Sequence, residues 1–313
     1  MITVAAVQYP PIYYDLERGL ERAVEIVGLA AKEGIQCLVF PEAWLTGYPL
    51  LVWEMPHGNE FGEFSTVYKR MYDNAPNLSR DELKPLRDAA KDHGIVVVMG
   101  LNEQASEMSA GTLYNAVATI DATGEILNVH RKVMPTNAER TVWGFGDGRG
   151  LNVVDTAVGR VGGLLCWENF MPLARASIYA QDVEIYTAPT ADHRENWLAT
   201  MQHIGREGSC FVIGVAPTMR GEDIPLDLPP HKANAPFEGW VDPGNGIICG
   251  PLGNIVAGPM REEMGFLKSQ IDLGQVREAR RSFDVVGHYS RPDIFQLTVN
   301  RQPMTPVEFK PDH

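Results

Sequence analysis

Positive charge and long apolar runs are both scarce in this 313-residue sequence. Its 27 Lys and Arg residues stand against 40 Asp and Glu residues, which gives a formal net charge of −13 at pH 7. Such an acidic surface repels nucleic-acid phosphates and anionic lipids, so neither is expected as a partner. No run of about 18 apolar residues is present to span a membrane. The N-terminal stretch MITVAAVQYPPIYYDLERG lacks the basic and apolar regions of a signal peptide and is expected to contain a first strand.

Cysteine and metal-binding motifs are scarce as well. The four cysteines, Cys37, Cys166, Cys210 and Cys249, lie in or beside apolar runs, and no pair has C-x-x-C spacing. So few cysteines in a long chain do not make a disulfide framework, and reduced thiols in a cytoplasmic protein are expected. No cluster of His, Cys and Asp has the spacing of metal ligands, and no glycine-rich phosphate-binding motif opens a helix. The sequence therefore predicts neither a metal nor an organic cofactor.

Alternating strand and helix patterns fill most of the chain. The first half has strand patterns at ITVAAVQY, QCLVF and IVVVMG, a hairpin at LYNAVATI-DATGE-ILNVHRK, and helix patterns at residues 15–33 and 81–93. The second half has strand patterns at VGGLLC, VEIYTAP and CFVIGVAP, and helix patterns at residues 173–181 and Glu195–Gly208. Because the strands are apolar on both faces, each sheet is expected to be covered on both sides. Two such sheets packed face to face predict an α/β fold, a four-layer α-β-β-α sandwich, in a single domain over residues 1–313.

Two segments depart from this alternation. Residues 48–77 are irregular in pattern and carry several aromatic side chains. Residues 220–246 are rich in Pro, Gly and Asp and are expected to form a long loop that acts as a lid or an interface element.

Three apolar strands end in reactive side chains. CLVFPEAW leads to Glu42, NVHRKVMPT to Lys132, and GGLLCWEN to Cys166. In α/β sheets, ligands bind beyond the strand ends, where loops present side chains from a rigid base. Each residue also has an ordinary structural interpretation. A cysteine after an apolar strand is usually inert, Glu42 can bond backbone amides, and Lys132 beside Arg131 can be a solvated hairpin end.

Together the three residues form a chemical set. A thiol needs a base to become a thiolate at neutral pH. Histidine is the usual base, so a Cys–His hydrolase is the first alternative, but none of the eight histidines lies in a strand-end motif as distinctive as that of Glu42. A glutamate near an apolar wall has its pKa raised by desolvation and becomes a competent base at neutral pH. A nearby lysine stabilises the thiolate and the anion that forms on attack.

Four longer motifs surround these residues, in the order VFPEAWLTGYP, HRKVMPTNAERTVWGFGDG, CWENFMP and EIYTAPTADHRENWLATMQHIGREGSCFVIG. They resemble the nitrilases of the carbon–nitrogen hydrolase superfamily, and the match extends from the first strand to GHYSRPDIFQL. The resemblance implies the α-β-β-α sandwich and a Glu–Lys–Cys triad at Glu42, Lys132 and Cys166. It also implies a second active-site glutamate at Glu139, which holds Lys132 and the attacking water. Without the resemblance, Glu139 is a loop residue paired with Arg140.

Further residues near these motifs are candidates for the substrate site. The backbone N–H of Trp167 follows the nucleophile and is expected to point at the developing anion. Tyr48 and Trp53 indicate a partly apolar pocket, or else they are core residues. His193 either contacts the substrate or bonds a loop. The glutamate and asparagine of CWEN either orient the site or form a turn.

The resemblance implies a reaction in which a nitrile and two waters give a carboxylic acid and ammonia, through a cysteine-bound thioimidate and thioester. The nearest alternative is an amidase or carbamoylase with the same triad. A non-catalytic assembly protein on this fold is a third, which the complete Glu, Lys and Cys set disfavours. The family also implies a homodimer or larger homo-oligomer with a pair of external helices at the interface. The helices at residues 173–181 and Glu195–Gly208 are expected there, because their apolar residues outnumber what one sheet face can cover. The sequence does not select among aliphatic, aromatic and arylacetonitrile substrates.

Overall fold

The computed structural model describes residues 1–54, 62–106, 111–228, 238–304, 307 and 310, which form strands and helices. The strands are β1 (Ile2–Gln8), β2 (Cys37–Val39), β3 (Val96–Gln104), β4 (Leu113–Ile120), β5 (Ile126–Arg131), β6 (Val154–Thr156), β7 (Gly159–Gly163), β8 (Ile185–Pro189), β9 (Phe211–Val215), β10 (Thr218–Arg220), β11 (Trp240–Cys249), β12 (Ile255–Arg261) and β13 (Gly265–Ile271). The α-helices are α1 (Leu16–Lys32), α2 (Leu51–Glu54), α3 (Glu63–Asp73), α4 (Lys84–His93), α5 (Pro172–Tyr179), α6 (Glu195–Gly208) and α7 (Gly274–Ser282).

The strands form two mixed sheets. The first has the order β13-β1-β2-β3-β4-β5, and the second has the order β10-β11-β9-β8-β7-β6 with β12 paired to β11. Strands β1, β2 and β3 are parallel, and so are β7, β8 and β9. Two antiparallel pairings separate β3 from β5, so β5 runs in the same direction as β3. The first sheet combines strands from both ends of the chain, because β13 pairs with β1.

The four layers are held together by separate buried clusters. Val39 of the first sheet and Ile185 of the second share one cluster between the sheets. Ile26 of α1 and Leu86 of α4 belong to a cluster on the outer face of the first sheet, and Trp197 of α6 belongs to one on the outer face of the second. Burying a Val, Leu or Ile side chain fully contributes about 1.5–3 kcal/mol relative to exposure, so strands that are apolar on both faces favour this arrangement. The predicted α-β-β-α sandwich is confirmed.

The ends of two helices follow from local chemistry. Helix α1 begins after Asp15, whose side chain accepts the N–H of Arg18 as an N-cap. Helix α4 ends at Gly94, which adopts the left-handed conformation with φ +65°. The predicted start of α4 at residue 81 is wrong, because Asp81 is itself left-handed with φ 55° and closes a short 3-10 turn over Leu78–Arg80. The helix begins three residues later.

Both segments expected to be irregular contain regular structure. Residues 63–73 form α3, which buries Val67 and Met71, and Trp240 begins the long strand β11. The remaining tip of the second segment, residues 229–237, lies outside the described residues, and its role as a lid or interface stays a prediction. No helix in the described ranges has the length and apolar character needed to cross a bilayer.

Candidate active site

Polar side chains from both sheets meet at the carboxyl ends of the strands. Glu42 follows β2, Lys132 follows β5, Cys166 follows β7 and Ala191 follows β8. The two sheets are joined here directly, since the backbone N–H of Ala191 donates to Oε2 of Glu42 at 2.7 Å. Glu42, Lys132 and Cys166 are 1%, 1% and 4% exposed. The charges of this cluster are therefore screened from bulk water, which strengthens their mutual interactions.

Lys132 lies between two carboxylates. Its Nζ is 2.7 Å from Oε1 of Glu42 and 2.7 Å from Oε2 of Glu139. Burial lowers the pKa of Lys132, but the charges of Glu42 and Glu139 and the hydrogen bond to Glu139 oppose it, so the net shift is upward and the group is an ammonium. The backbone N–H of Lys132 donates to the carbonyl of Asn115 at 2.8 Å, which fixes the lysine to strand β4.

Glu42 accepts three hydrogen bonds. Oε1 accepts from Lys132 Nζ and from Asn115 Nδ2, each at 2.7 Å, and Oε2 accepts from the backbone of Ala191. Burial raises the pKa of Glu42, and the charge of Glu139 raises it further, while Lys132 and Asn115 oppose the shift without cancelling it. Glu42 is thus a stronger base than an exposed glutamate.

Glu139 faces the cluster and not the surface. Oε1 accepts the Tyr48 hydroxyl at 2.7 Å, and Oε2 accepts the backbone N–H of Thr136 at 2.6 Å in addition to Lys132. Arg140 instead donates Nε to the carbonyl of Pro135, at 3.1 Å. The interpretation of Glu139 as a surface partner of Arg140 is therefore wrong.

Cys166 has an unusual backbone conformation. Its φ of 48° lies in the left-handed region, which costs a non-glycine residue about 1–2 kcal/mol. Asn169 offsets this cost by donating Nδ2 to the carbonyls of Leu164 and Cys166, at 3.1 and 2.8 Å, while the hydroxyl of Tyr186 donates to Asn169 Oδ1 at 2.8 Å. The asparagine of CWEN therefore forms the turn that presents the cysteine.

The sulfur of Cys166 lies 3.2 Å from the hydroxyl of Thr190. Burial and the charge of Glu42 raise the pKa of Cys166 well above its ordinary value, although Lys132 and Thr190 lower it in part. The resting residue is a neutral thiol. Among the described residues no histidine is hydrogen-bonded to this sulfur, so the geometry does not support a Cys–His hydrolase.

Glu168 ties the cysteine loop to the lysine strand. Oε1 accepts the backbone N–H of Val133, the residue after the site lysine, at 2.6 Å. Oε2 accepts the N–H of Leu165, the residue before the site cysteine, and lies 2.9 Å from Nε2 of His130. Burial raises the pKa of Glu168, but His130 and the two backbone donors lower it more, so the net pKa is below its usual value and the group stays ionised. The glutamate of CWEN orients the site.

A family model for carbon–nitrogen hydrolases matches residues 3–281 of this chain. The chain belongs to the carbon–nitrogen hydrolase family. It is 38% identical over 315 residues to a bifunctional nitrilase/nitrile hydratase of Lupinus angustifolius, covering 98% of this chain and 88% of the relative. It is also 38% identical over 323 residues to a nitrilase of Arabidopsis thaliana, covering 98% of this chain and 89% of that one. The predicted family is confirmed.

Solved structures support the fold of this carbon–nitrogen hydrolase. A carbon–nitrogen hydrolase from Helicobacter pylori G27 superposes with a TM-score of 0.72 at 18% identity, over 94% of this chain and 96% of that one. The C. elegans NitFhit protein also superposes with a TM-score of 0.72, at 20% identity, over 96% of this chain and 67% of that one. These likenesses concern the fold alone, because so low an identity does not carry an activity.

A cavity of about 430 Å³ opens beside Cys166 in this carbon–nitrogen hydrolase. It is lined by Tyr48, Leu50, Trp53, Thr136, Asn137, Glu139, Cys166, Trp167, Ala191, Asp192, His193, Arg194 and Asp242. All four candidate substrate residues, Tyr48, Trp53, Trp167 and His193, are thus in its wall, and Trp53 Nε1 donates to the Tyr48 hydroxyl at 3.1 Å.

The polar side of the cavity is built from paired charges. Trp167 Nε1 donates to Asp192 at 2.9 Å, and the guanidinium of Arg194 bonds the same aspartate and lies 5.1 Å from the Trp167 ring centroid. His193 Nδ1 lies 3.2 Å from Asp242, and this hydrogen bond raises the pKa of His193. His193 therefore lines the cavity and bonds a residue of strand β11 and not a loop, and its contact with the substrate stays a prediction.

Sequence reasoning missed two residues whose side chains bond the triad, Asn115 and Thr190. Asn115 is a fully buried polar residue inside the apolar strand LYNAVATI, and that contrast is a usable signal. Thr190 directly follows strand β8, and Glu42 follows β2, so the strand-end argument extends to Thr190. No group of three or more His, Cys, Asp or Glu in the described ranges is placed to hold a metal ion.

Proposed function

We propose that this carbon–nitrogen hydrolase is a nitrilase, in which Cys166 is the nucleophile, Glu42 the general base and Lys132 the electrostatic stabiliser. The observation that carries the proposal is the buried ammonium of Lys132, shared by Glu42 and Glu139 beside a buried thiol. The full-length relatives that are named nitrilases support a nitrile as the substrate. The complete charged set also argues against a non-catalytic assembly protein.

Proton transfer from Cys166 to Glu42 begins the reaction. A carboxylate has about four lone-pair positions, and three of those on Glu42 are occupied by donors. The remaining position, on Oε2, is left to take the thiol proton. Because the pKa of Cys166 is high, deprotonation and attack belong to one step. Sγ bonds to the nitrile carbon, a C≡N electron pair moves to nitrogen, and Glu42 returns the proton to nitrogen, which gives the thioimidate.

Two waters complete the turnover. Glu42 takes a proton from the first water as its oxygen adds to carbon and passes that proton to the imine nitrogen, so the tetrahedral species carries OH, NH2 and sulfur. Glu42 then takes the hydroxyl proton and gives it to nitrogen, the C–N bond breaks with its electron pair on nitrogen, and ammonia leaves as the C=O bond of a thioester forms. The second water, activated in the same way, releases the acid and restores the thiol. Lys132 has three N–H donors, of which the two carboxylates use two, so the third is left for the anionic states.

The backbone N–H of Trp167 is a second donor for the anionic states. Within the described part of the chain this N–H has no backbone acceptor, and it directly follows the nucleophile.

Glu139 holds Lys132 from the side opposite Glu42. Tyr48, Trp53, Trp167 and His193 line the space that the organic group of the nitrile occupies.

We also propose a homodimer or a larger homo-oligomer in a reducing, cytoplasmic setting. The four cysteines are all free and buried, which suits a reducing compartment. Phe170 and Met171, which directly precede α5, and Leu173 in its first turn are 40%, 37% and 68% exposed. The surplus of apolar side chains expected on α6 is absent, because its large apolar residues are buried against the second sheet. The interface is therefore proposed on α5.

Ammonia release from nitriles and from their own amides tests the function. A panel of aliphatic, aromatic and arylacetonitriles is compared with the matching amides at equal concentration, and acid and amide products are quantified together. We expect faster release from a nitrile, with acid as the main product and no release by Cys166→Ala. The matched control Cys249→Ala is expected to keep its activity. Faster hydrolysis of the amide would replace this proposal with an amidase or carbamoylase.

A further inference from the structure

We propose that Thr190 is a further catalytic residue, whose hydroxyl hydrogen-bonds the sulfur of Cys166 and raises the share of nitrile that leaves as amide. This inference rests on the proposed nitrilase function. The residue is fully buried, and its Oγ1 lies 3.2 Å from Sγ. Among the described residues, Thr190 is the one whose side chain hydrogen-bonds the sulfur of Cys166.

The direction of the Thr190 hydroxyl follows from its other contact. The backbone N–H of Asp192 donates to Oγ1 at 2.8 Å, so that side of the oxygen is an acceptor. A hydroxyl carries a single proton. Once Cys166 has lost its own proton, the sulfur is an acceptor only, and the Thr190 proton is directed at it.

Thr190 is held in place on a rigid base. Its backbone N–H donates to the carbonyl of Val215 on β9, at 2.9 Å. The next residue, Ala191, donates its N–H to Glu42. Two consecutive residues therefore place the hydroxyl beside the sulfur and a donor beside the general base, and the Asp192 N–H holds the Thr190 oxygen in place.

The hydrogen bond favours states in which sulfur carries negative charge. Hydrogen bonds to ionised groups are roughly twice as strong as neutral ones, so Thr190 stabilises the thiolate more than the thioether sulfur of the covalent intermediates. In the tetrahedral species R–C(OH)(NH2)–S, breaking C–N expels ammonia and leaves the thioester. Breaking C–S returns the electron pair to sulfur, Glu42 takes the hydroxyl proton and gives it to the sulfur, and an amide is released. Thr190 and Lys132 both stabilise the departing thiolate, so Thr190 speeds the first attack and also increases amide release.

Thr190→Val and Thr190→Ser separate this role from a purely structural one. Valine keeps the shape and removes the hydroxyl, whereas serine keeps the hydroxyl. Thr218→Val is the matched control, because Thr218 is also fully buried and its hydroxyl has no hydrogen-bond partner among the described residues. Thr190→Ala replaces the valine variant if that variant does not fold.

The first measurement needs no substrate. Iodoacetamide labelling of Cys166 is timed at fixed pH and located by mass spectrometry. We expect labelling to slow roughly 10-fold in Thr190→Val, as loss of one hydrogen bond to a charged group implies, and to stay within about twofold of wild type in Thr190→Ser and Thr218→Val. Unchanged labelling in Thr190→Val would overturn the proposal.

The second measurement is the ratio of amide to acid from a nitrile that gives measurable amide with the wild type. We expect the amide share to fall severalfold in Thr190→Val and to return in Thr190→Ser. A structural role alone lowers the rate and leaves this ratio unchanged, so a slow variant with the wild-type ratio also overturns the proposal. If the wild type released ammonia from no nitrile, the proposed nitrilase function would be wrong. The labelling rates would still show whether the Thr190 hydroxyl stabilises the thiolate of Cys166.

Discussion

Replacing Glu139 by glutamine tests whether the second carboxylate on Lys132 serves the reaction. Glu139 accepts from three donors, which are the Tyr48 hydroxyl, the Thr136 N–H and Lys132. A glutamine can direct its carbonyl at Lys132 and Thr136 and its amide at Tyr48, whose hydroxyl is able to accept. The change therefore removes one negative charge and keeps the geometry.

The expected loss of turnover comes from the charge. A hydrogen bond to a charged group is worth about 1.5–3 kcal/mol, so weakening the hold on Lys132 is expected to lower kcat roughly 10- to 100-fold. Because the three contacts persist, the melting temperature is expected to move by less than about 4 °C.

The pH profile gives a second, signed test of Glu139→Gln. Burial is the main cause that raises the pKa of Glu42, and the charge of Glu139 raises it further. Removing that charge lowers the pKa of Glu42. Since Glu42 must be unprotonated to accept the thiol proton, the acid limb of kcat/KM is expected to move to lower pH. The acid limb reports the titration of the coupled group of Glu42, Lys132 and Cys166, and not the titration of one residue.

The matched control is Glu82→Gln. Glu82 is a half-buried carboxylate outside the site that accepts the backbone N–H of Asn77 at 2.6 Å. Steady-state kinetics, pH profiles and thermal melts are measured on both variants. Wild-type kinetics and an unmoved acid limb in Glu139→Gln would refute the reasoning, as would a loss of activity fully matched by a loss of folded protein.

The remaining predictions concern the nucleophile, metals and assembly. Cys166→Ala is expected to abolish turnover at a cost of about 1 kcal/mol in stability, since alanine meets the same left-handed strain, and appreciable residual activity would refute the mechanism. Alanine at Cys37, Cys210 or Cys249 is expected to preserve activity, because these thiols are buried outside the cavity. Exhaustive EDTA treatment is expected to leave the rate unchanged, and a loss that zinc restores would count against the triad. Light scattering at micromolar concentration is expected to show a dimer or larger species, and a clean monomer would contradict the proposed interface on α5.

Local chemistry in the sequence accounts for most helices and strands. The helix α6 is found at its predicted bounds, and the apolar strands lie where their patterns placed them, since periodicity and end signals are local properties. The same patterns located three strand ends with reactive side chains. The segment containing α3 was missed, because its hydrophobic face is narrow, with Val67 and Met71 as its buried residues.

Contacts between distant parts of the chain are decided only by the tertiary structure. Pairing of β13 with β1 joins residues about 260 positions apart, and the local sequence of either strand does not predict which strand it pairs with. Asn115 reaches Glu42 and Thr190 reaches Cys166 because four strand ends converge at one edge. The sequence by itself determined the elements and the reactive residue types at their ends. The packing of two sheets determined which polar groups face one another, because hydrogen bonds depend on distances and angles that no single strand contains.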